Sequence, residues 1–282
     1  MRPHAALGLA LVAVGGLASS PPAARGALPD LRVCADPNNL PFSNEQGEGF
    51  ENRIAELMAR DLGTTLRYVW LPQRRGFVRN SLNAGTCDLI VGVPAEFEPV
   101  RSTKPYYRST YVFVQRADRG PPVSSLADTL LRHLRIGIHV IGTDYANPPP
   151  AQALAARGII DNVTGYSIYG DYSQPNPPAR LVEAVANGDV DVAIVWGPLA
   201  GYFAPRQTAP LTLVAVPPAS DPSGQQWSFP IAMGVRRQDR GLAAQLDRVL
   251  EAERPAVRRI LEQYHVPLVQ DEKTAPTDGK RS

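Results

Sequence analysis

The sequence predicts an α/β protein built as two lobes, and three observations lead there. Short apolar or β-branched runs alternate with amphipathic helical segments, the order that makes parallel, right-handed α/β units. A chain of 282 residues is too long for one small core. Finally, a strand near Tyr111 leaves the first unit and another near Ile231 returns to it. Two crossing strands make a hinge, and a hinge implies a ligand cleft between the lobes.

The amino-terminal residues 1–26 read as a secretory leader. Arg2 precedes an apolar run from Ala5 to Leu17, too short to span a bilayer. Ala24 and Gly26 fit cleavage before Ala27, whereas Pro21 disfavours a cut after Ser20. No other stretch approaches the ~20 apolar residues of a membrane helix. The expectation is an exported chain that ends in the periplasm with no membrane insertion after the leader is removed. Removal takes two of the 29 basic residues and none of the 27 acidic ones. Net charge near zero argues against a nucleic-acid partner, whose binding rests on a basic face.

Leu31, Val33 and Cys34 begin a short buried strand. From Asp36 to Gly49, three asparagines, two prolines and two glycines sustain neither strand nor helix. Phe50, Ile54, Leu57, Met58 and Leu62 then repeat as one helical face, and Gly63 ends it. A loop after a parallel strand and before its crossover helix is where open α/β sheets place ligands. Asp36 to Phe42 is therefore the first candidate binding surface.

Thr65 to Leu71 follows as a strand, residues 76–85 as a short helix, and Cys87 to Val93 as a strand buried on both faces. Tyr106 to Val114 is the strand that leaves lobe 1. Gly120-Pro121-Pro122 marks a boundary, and Ser124 or Ser125 can cap the next short helix. Arg135 to Val140 alternates, with Ile136, Ile138 and Val140 on one face. Pro148 to Arg157 is helical with Asn147 as cap, and Ala179 to Asn187 is a further helix. Val190 to Val195, Leu211 to Val216 and Phe229 to Val235 are strands, and Gly241 to Tyr264 is a helix broken at Pro255. Lobe 1 is thus expected over 27–115 and 229–270, lobe 2 over 116–228, and a disordered tail over 271–282. The two units are too dissimilar in sequence for a repeat to be claimed. Cys34 and Cys87 are the only cysteines. In an exported chain they are either a disulfide or two buried thiols, since neighbouring parallel strands can hold them apart.

A D-x-x-x-x-P-F loop followed by G-F-E-N-R-I-A resembles the opening of periplasmic solute-binding proteins of the polar amino-acid type. That resemblance spans nearly all of the chain after the leader and implies a type II periplasmic binding protein-like fold. More narrowly, CADPNNLPFSN, GFENRIAELMARDLG, QRRGFVRN, GTCDLIVGVP and KPYYRSTYVFV resemble the MoxJ/XoxJ proteins. These accompany periplasmic quinoprotein methanol dehydrogenases, so the resemblance implies that dehydrogenase as partner, with no catalysis and no cofactor of the chain's own.

Amino-acid binders of this type hold the ligand carboxylate with an arginine, bidentately. Here the corresponding loop carries Glu96, Phe97 and Glu98, leaving Arg74, Arg75 or Arg108 as substitutes. The acidic residue that holds the ligand ammonium is replaced by Trp196-Gly197-Pro198. Gly142-Thr143 matches an anion-cradling turn, but Asp144 beside it opposes an anion. The expected cleft residues are Asp36, Asn38, Asn39, Phe42, Phe77, Tyr106, Tyr107, Arg108, Gly142, Thr143, Trp196 and Tyr202. Arg74, Arg75 and Arg79 are either a solvated face or a docking patch for a partner. An alternative is a receptor feeding an importer with a neutral or aromatic small molecule or cofactor. A dehydratase derived from a binding protein would need a buried carboxylate, for which Glu48, Glu96 and Glu98 are candidates. No nucleophile motif, phosphate loop or dinucleotide fingerprint is present, and His133, His139 and His265 lack metal-ligand spacing.

Overall fold

The computed structural model describes residues 30–141, 148–168, 172–217 and 224–269. The leader, the tail, Gly142, Thr143, Asp144 and Asn147 lie outside the described residues.

β1 (Asp30–Ala35) leads into two short strands, β2 (Asn38–Asn39) and β3 (Ser43–Asn44), which pair as a small hairpin. α1 (Phe50–Asp61) buries Phe50, Ile54, Leu57 and Met58, the face expected from their spacing. Its start is fixed by Asn52, whose Oδ1 accepts from Gly49 N at 3.0 Å and Asn44 N at 3.1 Å. Gly49 has no room for a side chain, because a Cβ there would lie 2.0 Å from the Phe42 carbonyl oxygen. After β4 (Thr65–Trp70), α2 (Phe77–Asn80) is one turn, shorter than the expected 76–85. Ser81 leaves helical geometry and returns its hydroxyl to the Phe77 carbonyl at 2.6 Å, which competes with continuing the helix.

β5 (Ile90–Pro94), β6 (Arg101–Ser102) and β7 (Tyr107–Arg116) follow. Asp128 rather than Ser124 or Ser125 caps the next 3-10 turn, Thr129–Arg132, accepting from Leu130 N at 2.9 Å. Then come β8 (Ile136–Val140), α3 (Pro149–Ala156), β9 (Val163–Ser167), α4 (Arg180–Asn187) and β10 (Val192–Trp196). Pro148, not Asn147, occupies the cap position of α3. α5 (Gly197–Phe203), β11 (Leu211–Ala215), β12 (Ser228–Val235), α6 (Arg240–Ala252) and α7 (Arg254–Gln263) complete the order. The carboxy-terminal helix breaks at Glu253, with Pro255 in the first turn of α7 where its missing N–H costs nothing. The pattern gave no warning of β9 or α5.

β1 pairs with β4 in parallel, and β8 pairs in parallel with both β9 and β10. β7 joins the two regions. Its first part, Tyr107 to Thr110, pairs antiparallel with Ile231 to Ser228 of β12. Its second part, from Tyr111 to Arg116, lies between β10 and β11. Tyr111 N and the Thr110 hydroxyl both donate to the Trp227 carbonyl at 3.0 Å, so the leaving and returning chains touch at the crossing. One apolar core gathers Leu31, Phe50, Ile54, Met58, Met233 and Leu246. Beyond the crossing, Val112 and Val114 face a core with Leu181 and Leu199, while Phe113 faces another with Ile136 and Trp227. That strand is apolar on both faces because helices cover both.

The sequence units look unrelated, yet one device recurs. Arg32 forks onto Asp88, with Nε–Oδ2 2.9 Å and Nη2–Oδ1 2.7 Å. Arg135 forks onto Asp191 at 3.1 and 2.7 Å, over the same separation of 56 residues. In each case the aspartate N–H returns to the arginine carbonyl, at 2.7 and 2.8 Å. Each fork therefore pins the entrance of one central strand to its neighbour. Burial alone would raise the Asp88 carboxyl, but hydrogen bonds from Arg32 and Arg236 hold it below the ordinary carboxylate value. Asp191 is likewise lowered, chiefly by its hydrogen bond from Arg135.

Cys34 and Cys87 are bonded, with Cα atoms 5.5 Å apart. Cys87 does not open a strand as expected, since β5 starts at Ile90. Asp88 N and Leu89 N both reach the Arg32 carbonyl while Cys34 N donates to Leu89 O, which brings Cys87 level with Cys34.

Two predictions follow from these buried polar groups. Asn52→Ala strands two backbone donors and should cost about 2–4 kcal/mol in chemical denaturation. Two acid-linked contributions to stability should be separable by mutation. Burial drives the His139 imidazole down to about 4 against a bond to the Pro178 carbonyl, from an ordinary 6.5. The folded state keeps it neutral, so stability on the order of 3 kcal/mol is present above pH 6.5 and lost as pH falls towards 4. His139→Gln should remove that contribution, so that its stability at pH 4.5 relative to pH 7 exceeds the parent's same difference. Asp88 and Asp191 have lowered values, so their contribution is present above about pH 3.8 and lost below it. Asp88→Asn should alter only this second contribution.

Candidate functional site

A cavity of about 470 Å3 opens where the two regions meet. Asp36, Asn38, Asn39 and Phe42 line it from the β1–α1 loop, with Tyr107 and Tyr111 from β7 and Trp196 from the end of β10. The loop reaches this position because Glu51 N bonds the Phe42 carbonyl at 2.9 Å and Ser43 Oγ bonds Asp36 O at 2.8 Å. Leu40–Pro41 is a cis peptide within it. Tyr111, Trp196 and Phe229 form a mutual edge-on cluster, with ring centroids 5.3, 6.0 and 6.4 Å apart.

The mouth is bridged by side chains. Tyr172 donates its hydroxyl to Asp36 Oδ2 at 2.6 Å, and Asn38 Nδ2 donates to the Gln174 carbonyl at 2.9 Å. The Arg74 guanidinium lies over the Tyr172 ring, 5.1 Å from its centroid. Asp36 also accepts from Asn38 N at 2.9 Å and Gln73 N at 2.7 Å, so its carboxylate is fully engaged. Burial first, then the neighbouring Asp36, raises the Tyr172 phenol, which remains a donor.

Six of the twelve expected cleft residues, Asp36, Asn38, Asn39, Phe42, Tyr107 and Trp196, lie on this cavity. Four lie elsewhere, which corrects the expectation. Phe77 is core, packed in one cluster with Leu82, Ile90, Val93, Val100 and the two cysteines. Tyr106 spends its hydroxyl on the Val91 carbonyl at 3.0 Å. Arg108 Nη1 lies 3.5 Å from Ser228 O, away from the lining. Tyr202 stacks on Tyr264 at 5.6 Å with Arg206 over its ring. Gly142 and Thr143 lie outside the described residues. Arg74, Arg75 and Arg79 are exposed on the segment beside the mouth.

Sequence reasoning missed Glu51, a second carboxyl on the cavity beside Asp36. Glu48, Glu96 and Glu98, the carboxylates it proposed, are exposed. Glu51 Oε1 sits so close above Gly92 that a Cβ on Gly92 would lie 2.0 Å from it. Burial, then the charge of Asp36, pushes the Glu51 carboxyl up to about 8. Gln73, Tyr111, Tyr172 and Phe229 were missed as well. Among the described residues, no arginine, lysine or histidine lines the cavity. No group of metal-ligating side chains occurs among them either.

Comparisons with known proteins agree with this architecture. Residues 31–266 match the model of the bacterial extracellular solute-binding proteins, family 3. The chain is 35% identical over 263 residues to protein MoxJ of Methylorubrum extorquens, covering 88% of this chain and 85% of that one. It is 29% identical over 255 residues to protein MoxJ of Paracoccus denitrificans, covering 85% and 89%. The crystal structure of the periplasmic binding protein XoxJ from Methylobacterium extorquens AM1 superposes with a TM-score of 0.70 at 35% identity, covering 86% of this chain and all of that one. A periplasmic binding protein-like α/β fold with this family's match along nearly its whole described length has one reading: the chain belongs to the bacterial extracellular solute-binding proteins, family 3.

Proposed function

We propose that this chain is a periplasmic accessory protein of a quinoprotein methanol dehydrogenase, binding the dehydrogenase and assisting its assembly or activation without catalysis of its own. The observation that carries the reading is similarity to MoxJ and XoxJ over 85% or more of each chain. Location in the periplasm is supported by the extracellular character of the family and by the leader-like residues 1–26. No described helix is long and apolar enough to cross a membrane.

The cavity supports this reading over amino-acid transport. A zwitterion requires a counter-charge for its carboxylate, and no basic side chain among the described residues lines the site. The exposed Arg74, Arg75 and Arg79 offer a patch for an acidic surface of the dehydrogenase. A second reading, an importer receptor for a neutral or aromatic solute, is favoured by the ring-lined cavity alone.

Affinity-tagged chain, expressed in a methanol-grown host, should co-purify with the dehydrogenase at low salt. Charge reversal at Arg75 and Arg79 should weaken that capture at least tenfold and reduce its salt dependence. Recovery of the chain alone at low salt would overturn the accessory reading.

A further inference from the structure

We propose that the cavity binds a small organic cation, an amine or quaternary ammonium on an apolar or aromatic body without a carboxylate, with Glu51 as its counter-charge. The proposal stands independently of the dehydrogenase reading.

Four observations converge on that chemistry. First, none of the described hydrogen bonds involves the Glu51 carboxyl, although it lies on the cavity wall, whereas Asp36 beside it has three donors. Second, Gly92 leaves the volume that the carboxyl oxygen occupies, so any larger residue there would displace it. Third, the wall presents rings of Phe42, Tyr107, Tyr111, Tyr172, Trp196 and Phe229, and ring faces attract cations. Fourth, the absence of basic groups among the described lining leaves an anion or a zwitterion without a partner. A volume of about 470 Å3 suits a small ligand rather than a peptide.

Burial and the neighbouring Asp36 disfavour the charged form of Glu51 and raise its carboxyl to about 8. The groups that face it electrostatically are Asp36 on the loop, Tyr68 on β4, Tyr106 just before β7 and Tyr107 at its start. A permanently charged ligand favours the carboxylate, so binding should expel a proton and weaken as pH falls from 8 towards 6. A raised carboxyl also destabilises the fold as pH rises from 4.5 to 8, a cost that a neutral isostere removes.

The test uses the full chain in isothermal titration with benzyltrimethylammonium, choline and tyramine, against tyrosine, benzyl alcohol and benzoate. At least one cation should bind at pH 8 with at least tenfold higher affinity than every control. For benzyltrimethylammonium, the heat should vary with buffer ionisation enthalpy, reporting the released proton. Glu51→Gln should lose at least tenfold in affinity while melting higher than the parent at pH 8, which separates lost binding from lost folding. Failure of all three cations at millimolar concentration would overturn the proposal. So would controls that bind as well as the cations, or unchanged affinity in Glu51→Gln.

Discussion

A single strand has to satisfy its backbone in two sheets at once, and the rest of the molecule is arranged around that requirement. Every buried N–H and C=O of β7 needs a partner. Residues Tyr107 to Thr110 find theirs on β12, and the following residues find theirs on β10 and β11. The handover falls between Thr110 and Tyr111, where the Trp227 carbonyl takes two donors. Because the strand is continuous there, the two regions share an axis, and the aromatic side chains beside that axis become a common wall. The cavity is a product of backbone bookkeeping before it is a product of side-chain chemistry.

What was legible in the sequence depended on local signals. The α1 face could be read because its apolar spacing is strict, and the Asp36–Phe42 loop could be read because prolines and asparagines exclude regular structure. Trp196 lies on the cavity, where its position at a strand end suggests it should. Glu51 was hidden for a physical reason. A carboxylate in the first turn of a helix already has an ordinary explanation in the helix dipole. Its direction depends on Gly92, which is distant in sequence and becomes a neighbour only in the fold. Phe77 and Tyr202 went the other way, since an aromatic side chain carries no local mark that distinguishes core or surface stacking from a cleft. The crossing strands were inferred correctly in outline, but the bonding of one strand into two sheets is a long-range property without a short-range trace.

The absence of recognisable sequence similarity between the halves also has a physical reading. What the halves share is a requirement, not a pattern. Each central strand enters from a turn, and each entry is fixed by one arginine and one aspartate over the same separation. Bidentate geometry makes such a pair specific where apolar positions tolerate many substitutions. Arg32 retains appreciable exposure, so its pair is better regarded as a register device than as a large source of stability.

Superimposing the two forks by sequence offset exposes an asymmetry. Two residues after Arg32 stands Cys34 and one before Asp88 stands Cys87, and these are covalently joined. At the matching offsets from Arg135 and Asp191 stand Gly137 and Val190, where a Cβ on the glycine would come within 3.3 Å of the valine methyl. One half is thus stapled where the other is merely snug. In the chain-entropy picture the staple is worth about 4 kcal/mol. A thiol-rich environment would therefore remove a cross-link at one fork, while the matching position of the other fork has none to lose.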